Sequence, residues 1–483
     1  MPTTPQFDAA LHVIATLRAA GHQAYLVGGC VRDLLLGREP HDYDVATSAT
    51  PDIVLDLFPR TFAVGAHFGV VLVAACNGAD GTCGAADAAC AAGEELEESR
   101  QVVTEVATFR SDGAYSDGRH PDAVRYTNSA EEDVRRRDFT VNGLLLDVER
   151  LFPQGMNVRA EASTLQNAVI DYVNGVADLE AGIVRAIGQP GERFEEDHLR
   201  MLRAVRFAAR FGFKINPATA AAIRSLASKM IAVSRERLRD ELTKMLTEGH
   251  ARRAFELLDE TGLLNEVLPE IARMKGVEQP PQYHPEGDVW LHTLGLLVQL
   301  EAGCPLALAW GALLHDVGKP ATFRRAERIR FDGHVDVGVA IAADLCRRFR
   351  FSNEESNQIL SLIENHMRFA DAQRMKDSTL KRFFRLPEFP QHLALHRMDC
   401  LAGSENLDHW EFVRERYESM PAEVVRPKPL ITGRELIAAG YQPGASFKQM
   451  LRTVEDAQLE GAISTEAEAI ALLQRRFLTG SKS

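Results

Sequence analysis

The chain has 483 residues, with 55 lysines and arginines against 68 aspartates and glutamates and a formal net charge of −13. That length exceeds one hydrophobic core and predicts two to four domains. The acid excess argues against a protein that coats nucleic acid indiscriminately, but it leaves room for a local basic groove. No apolar run approaches a membrane-spanning length, and the first residues lack a basic segment followed by an apolar one, so neither a membrane segment nor an export signal is read. Seven cysteines do not make a disulfide scaffold in a chain this long, and reduced thiols in a cytoplasmic protein are expected.

Apolar residues at helical spacing (Phe7, Leu11, Ile14, Leu17) predict a helix over 5–20 that Gly21 ends. Tyr25 to Val27 reads as a strand, Gly28 and Gly29 break it, and Val31 to Gly37 opens a helix. A strand feeding a glycine turn at a helix start presents backbone N–H groups that suit a phosphate, and Arg32 adds a fork of donors for the same anion. Asp42-Tyr-Asp44 follows; on a strand, alternate side chains share a face, so the two carboxylates project together. Paired carboxylates beside a triphosphate cradle are what two-metal phosphoryl or nucleotidyl transfer requires.

Thr50-Pro51 predicts a helix start. Val70 to Ala74 reads as a buried strand whose hairpin partner is Val102 to Phe109. Glu105 on that partner reads equally as a third carboxylate facing Asp42 and Asp44 or as a solvated strand residue. Between the two strands, Cys76, Cys83 and Cys90 recur in a stretch to Ser99 rich in alanine, glycine and acid. Three thiols without the paired spacing of a zinc module read as an inserted mobile loop. The glycine-bearing segment from Arg110 to Pro121 has the chemistry of a loop that closes over a nucleotide. Arg135 to Asn142 then brings a basic triplet into the same domain, with Asp138 and Asn142 as further candidates. Residues 151–168 read as a linker, and order resumes at Asp171.

Glu196 to Arg210 reads as one long helix in which Arg200, Arg203, Arg206 and Arg210 form a stripe opposite Leu199, Leu202, Val205 and Ala209. Asp197 and Arg200, at i and i+3, point the same way. A carboxylate only accepts and a guanidinium only donates. Cytosine and adenine each set an exocyclic amine beside a ring-nitrogen acceptor, so this pair can admit both bases. Uracil and guanine carry a carbonyl in place of the amine and leave Asp197 unpaired, which makes discrimination strong.

Leu26 to Asp33, Asp42-Tyr-Asp44, Arg136 to Asn142 and Glu196 to Arg200 with Arg203 and Arg206 stand in an order that resembles class II tRNA nucleotidyltransferases and bacterial poly(A) polymerases, over roughly residues 20–275. The resemblance implies an α+β fold: a polymerase-beta-type nucleotidyltransferase head with a small mixed sheet, then an all-α neck and body. It implies that Asp42 and Asp44 bind catalytic magnesium. It further implies that Gly29, Arg32, Arg137, Asp197, Arg200, Arg203 and Arg206 bind the incoming ATP or CTP, with Gly28 in the same turn.

In the second half, His292, His315-Asp316, His334, His366 and Asp399 form a further constellation. His315-Asp316 ends an apolar run from Leu306 to Leu314 and can put two ligands on one metal, with His292 and Asp399 completing the shell. His334 and His366 can hold a second metal or a phosphate. The segment resembles an HD phosphohydrolase domain, which implies a divalent metal of open identity and phosphatase or cyclic phosphodiesterase action on RNA ends. Thr432-Gly-Arg-Glu435 is a capping box within a helical tail.

The expected domains are a nucleotidyltransferase head (1–150), a neck and body (171–275), an HD domain (276–405) and a helical C-terminal region (406–483). The expected function is template-independent addition or repair of the CCA end of tRNA from CTP and ATP. Poly(A) addition, or addition of CC or A alone, shares the same motifs. An HD-type phosphohydrolase with a non-catalytic head is a reading of a different class, and intact Asp42 and Asp44 argue against it.

Overall fold

The computed structural model describes residues 4–62, 69–76, 101–113, 124–152, 162–282 and 284–478. Cys83 and Cys90, with the rest of the insertion from 77 to 100 and the centre of the 110–121 loop, lie outside them, as does most of the expected linker after 152. The chain divides into two units, Met1–Arg237 with Glu256–Val267, and Leu238–Phe255 with Leu268–Ser483.

The first unit is built on a seven-stranded mixed sheet. Its strands are β1 (Ala24–Val27), β2 (Val45–Thr47), β3 (Thr61–Phe62), β4 (Val70–Cys76), β5 (Gln101–Thr108), β8 (Leu144–Leu146) and β9 (Val169–Asp171), in spatial order β3-β4-β5-β2-β1-β8-β9. A separate hairpin joins β6 (Arg110–Asp112) to β7 (Val124–Tyr126). The β4–β5 pairing expected from the sequence forms, antiparallel, with Leu72 opposite Glu105. Strand β2 runs parallel to β5, and β1 is antiparallel to both β2 and β8. Every residue of Leu144–Leu146 is buried, so β8 shows no alternation of apolar and polar residues.

Helix α1 (Pro5–Ala19) starts where Thr4 accepts a hydrogen bond from the Phe7 N–H and Pro5 supplies a helix-compatible φ. Its Phe7, Leu11, Ile14 and Leu17 join a core with Leu26, Val45, Val71, Val106 and Leu146. Each such side chain contributes about 1.5–3 kcal/mol by leaving water, and this packing holds the sheet that carries the site. Helix α2 (Gly29–Leu35) follows β1 directly. Helix α3 (Pro51–Leu57) starts at Thr50, as expected, although the Thr50 side chain makes no cap hydrogen bond.

Two local expectations are corrected. Asp42 and Asp44 lie not within a strand but in the extended stretch immediately before β2. The stripe helix is not continuous from Glu196: one helix ends at Glu196, Asp197 is extended (φ −147, ψ 104), and a second helix runs Leu199–Phe211. The Asp197 carboxylate accepts the Leu199 N–H at 3.1 Å, a local side-chain bond that competes with helix continuation.

The second unit is helical, apart from a short hairpin pairing Arg324–Arg325 with Ile329–Arg330 among its described residues. One apolar cluster gathers Phe369, Phe383, Phe384, Phe389 and Val413, and another gathers Ile431, Leu436, Met450, Val454 and Leu473 in the tail. The capping box at Thr432 and Glu435 forms as read. The α+β class holds, with the sheet confined to the first half and helices filling the second.

Candidate functional site

The glycine turn follows β1, which lies between β2 and β8 in the first unit's sheet. The Val27 N–H binds the Asp44 carbonyl and the Gly28 N–H binds the Leu144 carbonyl, both at 3.0 Å. The turn is thereby locked between the stretch carrying the two aspartates and β8. Gly28 has φ +75, a backbone conformation that favours glycine, and a Cβ there would reach Arg137 Nη1 at ordinary contact distance, 3.4 Å. Gly28, Gly29, Asp42 and Asp44 line a cavity of about 450 Å³, with Arg32, Arg137, Asp138, Asn142, Asp197, Arg200 and Arg203 also on its walls.

The carboxylates repel one another. Burial first, then the charges of Glu105 and Asp42, push the Asp44 pKa up to about 7. Partial desolvation and the Asp42 charge also raise that of Glu105, which lies within the field of the pair but is an exposed side chain and is not among the residues that line the cavity. A set of acidic oxygens in which one member is held near neutrality fits a divalent cation, whose charge would restore the ionised form.

The cations around the cavity are held by acidic partners. Buried Asp133 binds Arg136 through Oδ1 at 2.6 Å and Arg137 through Oδ2 at 3.0 Å. Arg32 donates to Asp33 at 2.8 Å and to Asn142 Oδ1 at 2.6 Å, with its guanidinium 4.4 Å from the Phe211 ring centroid. Asp138 accepts from Arg203 Nε at 2.9 Å and from Asn142 Nδ2 at 3.1 Å. Burial alone would raise the Asp138 pKa, but Arg203 and Asn142 hold it below the usual carboxylate value. Arg206 is buried against Phe207, 4.4 Å from the ring centroid, and is not among the residues that line the cavity.

Asp197 and Arg200, the pair expected to select the base, line the cavity on supports that local reading missed. Arg200 Nη1 lies 2.5 Å from Glu196 Oε2, and its Nη2 reaches the Arg136 carbonyl at 3.3 Å. Asp197 Oδ2 accepts from Arg237 Nη2 at 2.7 Å, and Arg237 itself lines the cavity. The spacing of Asp133 from Arg136 and Arg137, three and four residues, could have revealed that clamp. Arg237 lies forty residues beyond Asp197, and no local pattern announces it.

In the second unit the His and Asp residues expected to cluster do so. His315 and Asp316 follow the Leu306–Leu314 helix directly, and His315 Nε2 lies 3.1 Å from Asp316 Oδ2. His292 Nε2 is 3.0 Å from Asp399 Oδ1 and 3.9 Å from Asp316 Oδ2. The other Asp316 oxygen faces His334 Nε2 at 3.8 Å and His366 Nε2 at 3.9 Å. Two ligand groups result, His292–His315–Asp399 and Asp316–His334–His366. His315, His334 and His366 each set Nδ1 against a carbonyl three residues earlier, at 2.9, 2.9 and 2.6 Å. That acceptor keeps the proton on Nδ1 and turns the Nε2 lone pair inward. The buried Nε2 atoms of His334 and His366 have no hydrogen-bond partner among the described residues, and that of His315 faces the Asp316 carboxylate, an arrangement that fits metal ligation.

Burial, then the charge of His315, lowers the His366 pKa to about 4. Burial would also lower His292, but the Asp399 and Glu286 carboxylates raise it to about 9. Asp399 is held far below its ordinary range, its hydrogen bond to His292 overcoming burial. Lys319 Nζ lies 2.6 Å from Asp316 Oδ2 and 2.7 Å from Gln279 Oε1. A cavity of about 530 Å³ opens over Asp316, His334, His366 and Asp399, with His284 and Lys319 on its wall.

The poly A polymerase head domain model matches residues 24–185, the RNA and SrmB-binding site of polymerase A model matches 212–275, and the tRNA nucleotidyltransferase domain 2 model matches 334–473. The sequence is similar to the CCA-adding enzyme of Geobacillus stearothermophilus, at 39% identity over 485 residues and 99% of each chain. The chain belongs to the CCA-adding enzyme family. Its likeness to the CCA-adding enzyme of Geobacillus kaustophilus is 30% identity, again over 99% of both chains. The crystal structure of the Bacillus stearothermophilus CCA-adding enzyme in complex with CTP superposes with a TM-score of 0.70 at 25% identity, covering 99% of each chain. Among the described residues, no helix of this family member is long and apolar enough to cross a membrane.

Proposed function

We propose that the chain is a template-independent nucleotidyltransferase that completes or repairs the 3′-terminal CCA of tRNA from CTP and ATP in the cytoplasm. The observation that carries this reading is the meeting of Asp42 and Asp44 with the Gly28–Gly29 turn in an arginine-walled cavity. It occurs in a chain similar along its whole length to CCA-adding enzymes. In this reading residues 1–150 are the head, 171–275 the neck and body, 276–405 an HD domain and 406–483 the C-terminal region.

Asp42 and Asp44, with Glu105 in their field, would hold magnesium. Bound there, the ions would activate the RNA 3′-hydroxyl and offset charge on the departing pyrophosphate. The Gly28–Gly29 turn, Arg32 and Arg137 receive the triphosphate, with Asp133 and Asn142 keeping the two guanidiniums in place. Asp197 reads the exocyclic amine of cytosine or adenine. Each of its oxygens already accepts one bond, from Leu199 and from Arg237, and a second lone pair on each oxygen is left for the base. Arg200, anchored by Glu196, serves the ring-nitrogen acceptor.

An extension assay tests this reading. Magnesium, single and mixed NTPs and tRNA transcripts lacking CCA, CA or A should all yield the completed CCA end. Addition to only one of these ends would replace the reading with a CC-adding or A-adding enzyme. Long A tracts on unrelated RNA would replace it with poly(A) polymerase.

The second unit supports a separate reading as a metal-dependent phosphohydrolase of HD type acting on RNA ends. The observation favouring it is the convergence of the buried Nε2 atoms of His315, His334 and His366. Release of phosphate from 3′-phosphorylated RNA ends, or opening of 2′,3′-cyclic ends to a phosphomonoester, by an Asp42→Ala variant, lost on a further Asp316→Asn change, tests it independently of the head.

A further inference from the structure

Glu286 has no part in either reading. It sits in the turn after His284, just before the Val289–Val298 helix that carries His292. Its Oε1 accepts from both neighbouring rings, at 2.9 Å from His284 Nδ1 and 2.6 Å from His292 Nδ1. The two imidazoles meet edge to face with centroids 4.8 Å apart. His292 is fully buried, so its ring must find its partners inside the protein.

A neutral imidazole carries one proton, and it offers a metal only the nitrogen that lacks it. His315, His334 and His366 settle the matter through backbone carbonyls that accept from Nδ1. For His292 the acceptor at Nδ1 is the Glu286 carboxylate. A carboxylate is a stronger acceptor than a carbonyl, and a carboxylate bound to the outer nitrogen of a ligating histidine both fixes the ring and raises the basicity of its inner nitrogen. The inner nitrogen here is Nε2, the atom directed at Asp399 and Asp316.

We propose that Glu286 is the positioning residue of the His292–His315–Asp399 group: it keeps the proton of His292 on Nδ1, leaves Nε2 as the ligand atom, and orients His284 on the cavity wall. The inference rests on the reading of this cluster as a metal site. His284, Glu286 and His292 also form a group of potential ligand atoms within 4.8 Å of one another. Direct ligation there would require His292 Nδ1 to lose its proton and would turn Nε2 into a donor. The stoichiometry of binding separates the two arrangements.

The test is calorimetric titration of the full chain with Mn²⁺ in an Asp42→Asn/Asp44→Asn background, which removes the head carboxylates. Glu286→Ala should weaken binding to the cluster by ~10–100-fold with the number of ions unchanged. Glu286→Gln, which keeps an acceptor oxygen but not its charge, should lose less. In metal-free protein carrying ¹⁵N-labelled histidine, at a pH above the His292 pKa of about 9 where the ring is neutral, Glu286→Ala should shift the His292 nitrogens from the Nδ1–H pattern, a change that general loosening of the turn would not produce. Equal affinity in wild type and Glu286→Ala would overturn the proposal. Loss of one whole ion would also overturn it and make Glu286 a ligand. Absence of any Mn²⁺ binding in the background itself would overturn the metal reading beneath it, a result distinct from either.

Discussion

Replacing Arg237 by methionine keeps the bulk of the side chain and removes one partner of the Asp197 carboxylate, which is proposed to read the base. The Arg237–Asp197 contact is 2.7 Å, and the two side chains are 24% and 16% exposed. A hydrogen bond to a charged group contributes about 1.5–3 kcal/mol. Partial exposure places this one in the lower half of that range, about 1.5–2 kcal/mol, or ~10–30-fold in a rate or binding constant. Without Arg237, Asp197 retains the Leu199 N–H at 3.1 Å but loses the donor on its other oxygen, and its carboxylate can rotate away from the exocyclic amine. UTP gains nothing from the correct orientation, because its carbonyl faces a lone pair in either case. Single-nucleotide incorporation should therefore show kcat/KM for CTP falling ~10–30-fold and for UTP much less, narrowing the CTP preference about tenfold. Asp197→Ala, measured beside it, sets the limit of that loss. An equal fall for CTP and UTP would refute the reasoning and make Arg237 a structural residue. An unchanged preference in Asp197→Ala would refute the base-reading role of Asp197 itself.

Asp42→Asn and Asp44→Asn should each cut incorporation by ~10³-fold, corresponding to about 4 kcal/mol of transition-state stabilisation, while equilibrium binding of CTP persists. Because the Asp44 pKa stands near 7, protons compete with the cation in the physiological range. Divalent affinity of the head should rise about tenfold between pH 6 and pH 8. The same shift makes the native state of the metal-free protein bind more protons than the unfolded chain between roughly pH 4 and 7. Its stability should therefore fall as pH rises through that window, measurable by chemical denaturation. Gly318→Ala should be severe, since a Cβ there would stand 2.1 Å from the His334 carbonyl oxygen and 2.6 Å from the Gly338 nitrogen. The helix start carrying His334 must shift, and thermal unfolding should show a loss of ~3 kcal/mol together with weaker Mn²⁺ binding by the cluster.

Much of the chemistry was legible because it depends on short-range pattern. Gly28 and Gly29 follow β1 at once, so an anion-facing turn can be read from a few residues. Asp42 and Asp44 were legible as a pair although the strand assigned to them begins one residue later; an extended chain alternates its side chains whether or not it has a ladder partner. The β4–β5 pairing follows from two apolar runs, and the His315-Asp316 doublet from its place at the end of a buried helix. Local pattern failed where a side chain outcompeted the backbone. Helical periodicity runs unbroken through Asp197, yet its carboxylate takes the Leu199 N–H and divides the helix.

The sequence by itself therefore determined the kinds of groups available: a glycine turn, paired carboxylates, an arginine stripe and a set of histidines with two aspartates. Tertiary structure alone decided which of these charges oppose one another. Asp197 pairs with Arg237, forty residues on, and His292 with Asp399 from a distant helix. The physical reason is that a charge removed from water must be matched within a few ångströms, and the chain brings such partners together by folding, whatever their separation in sequence.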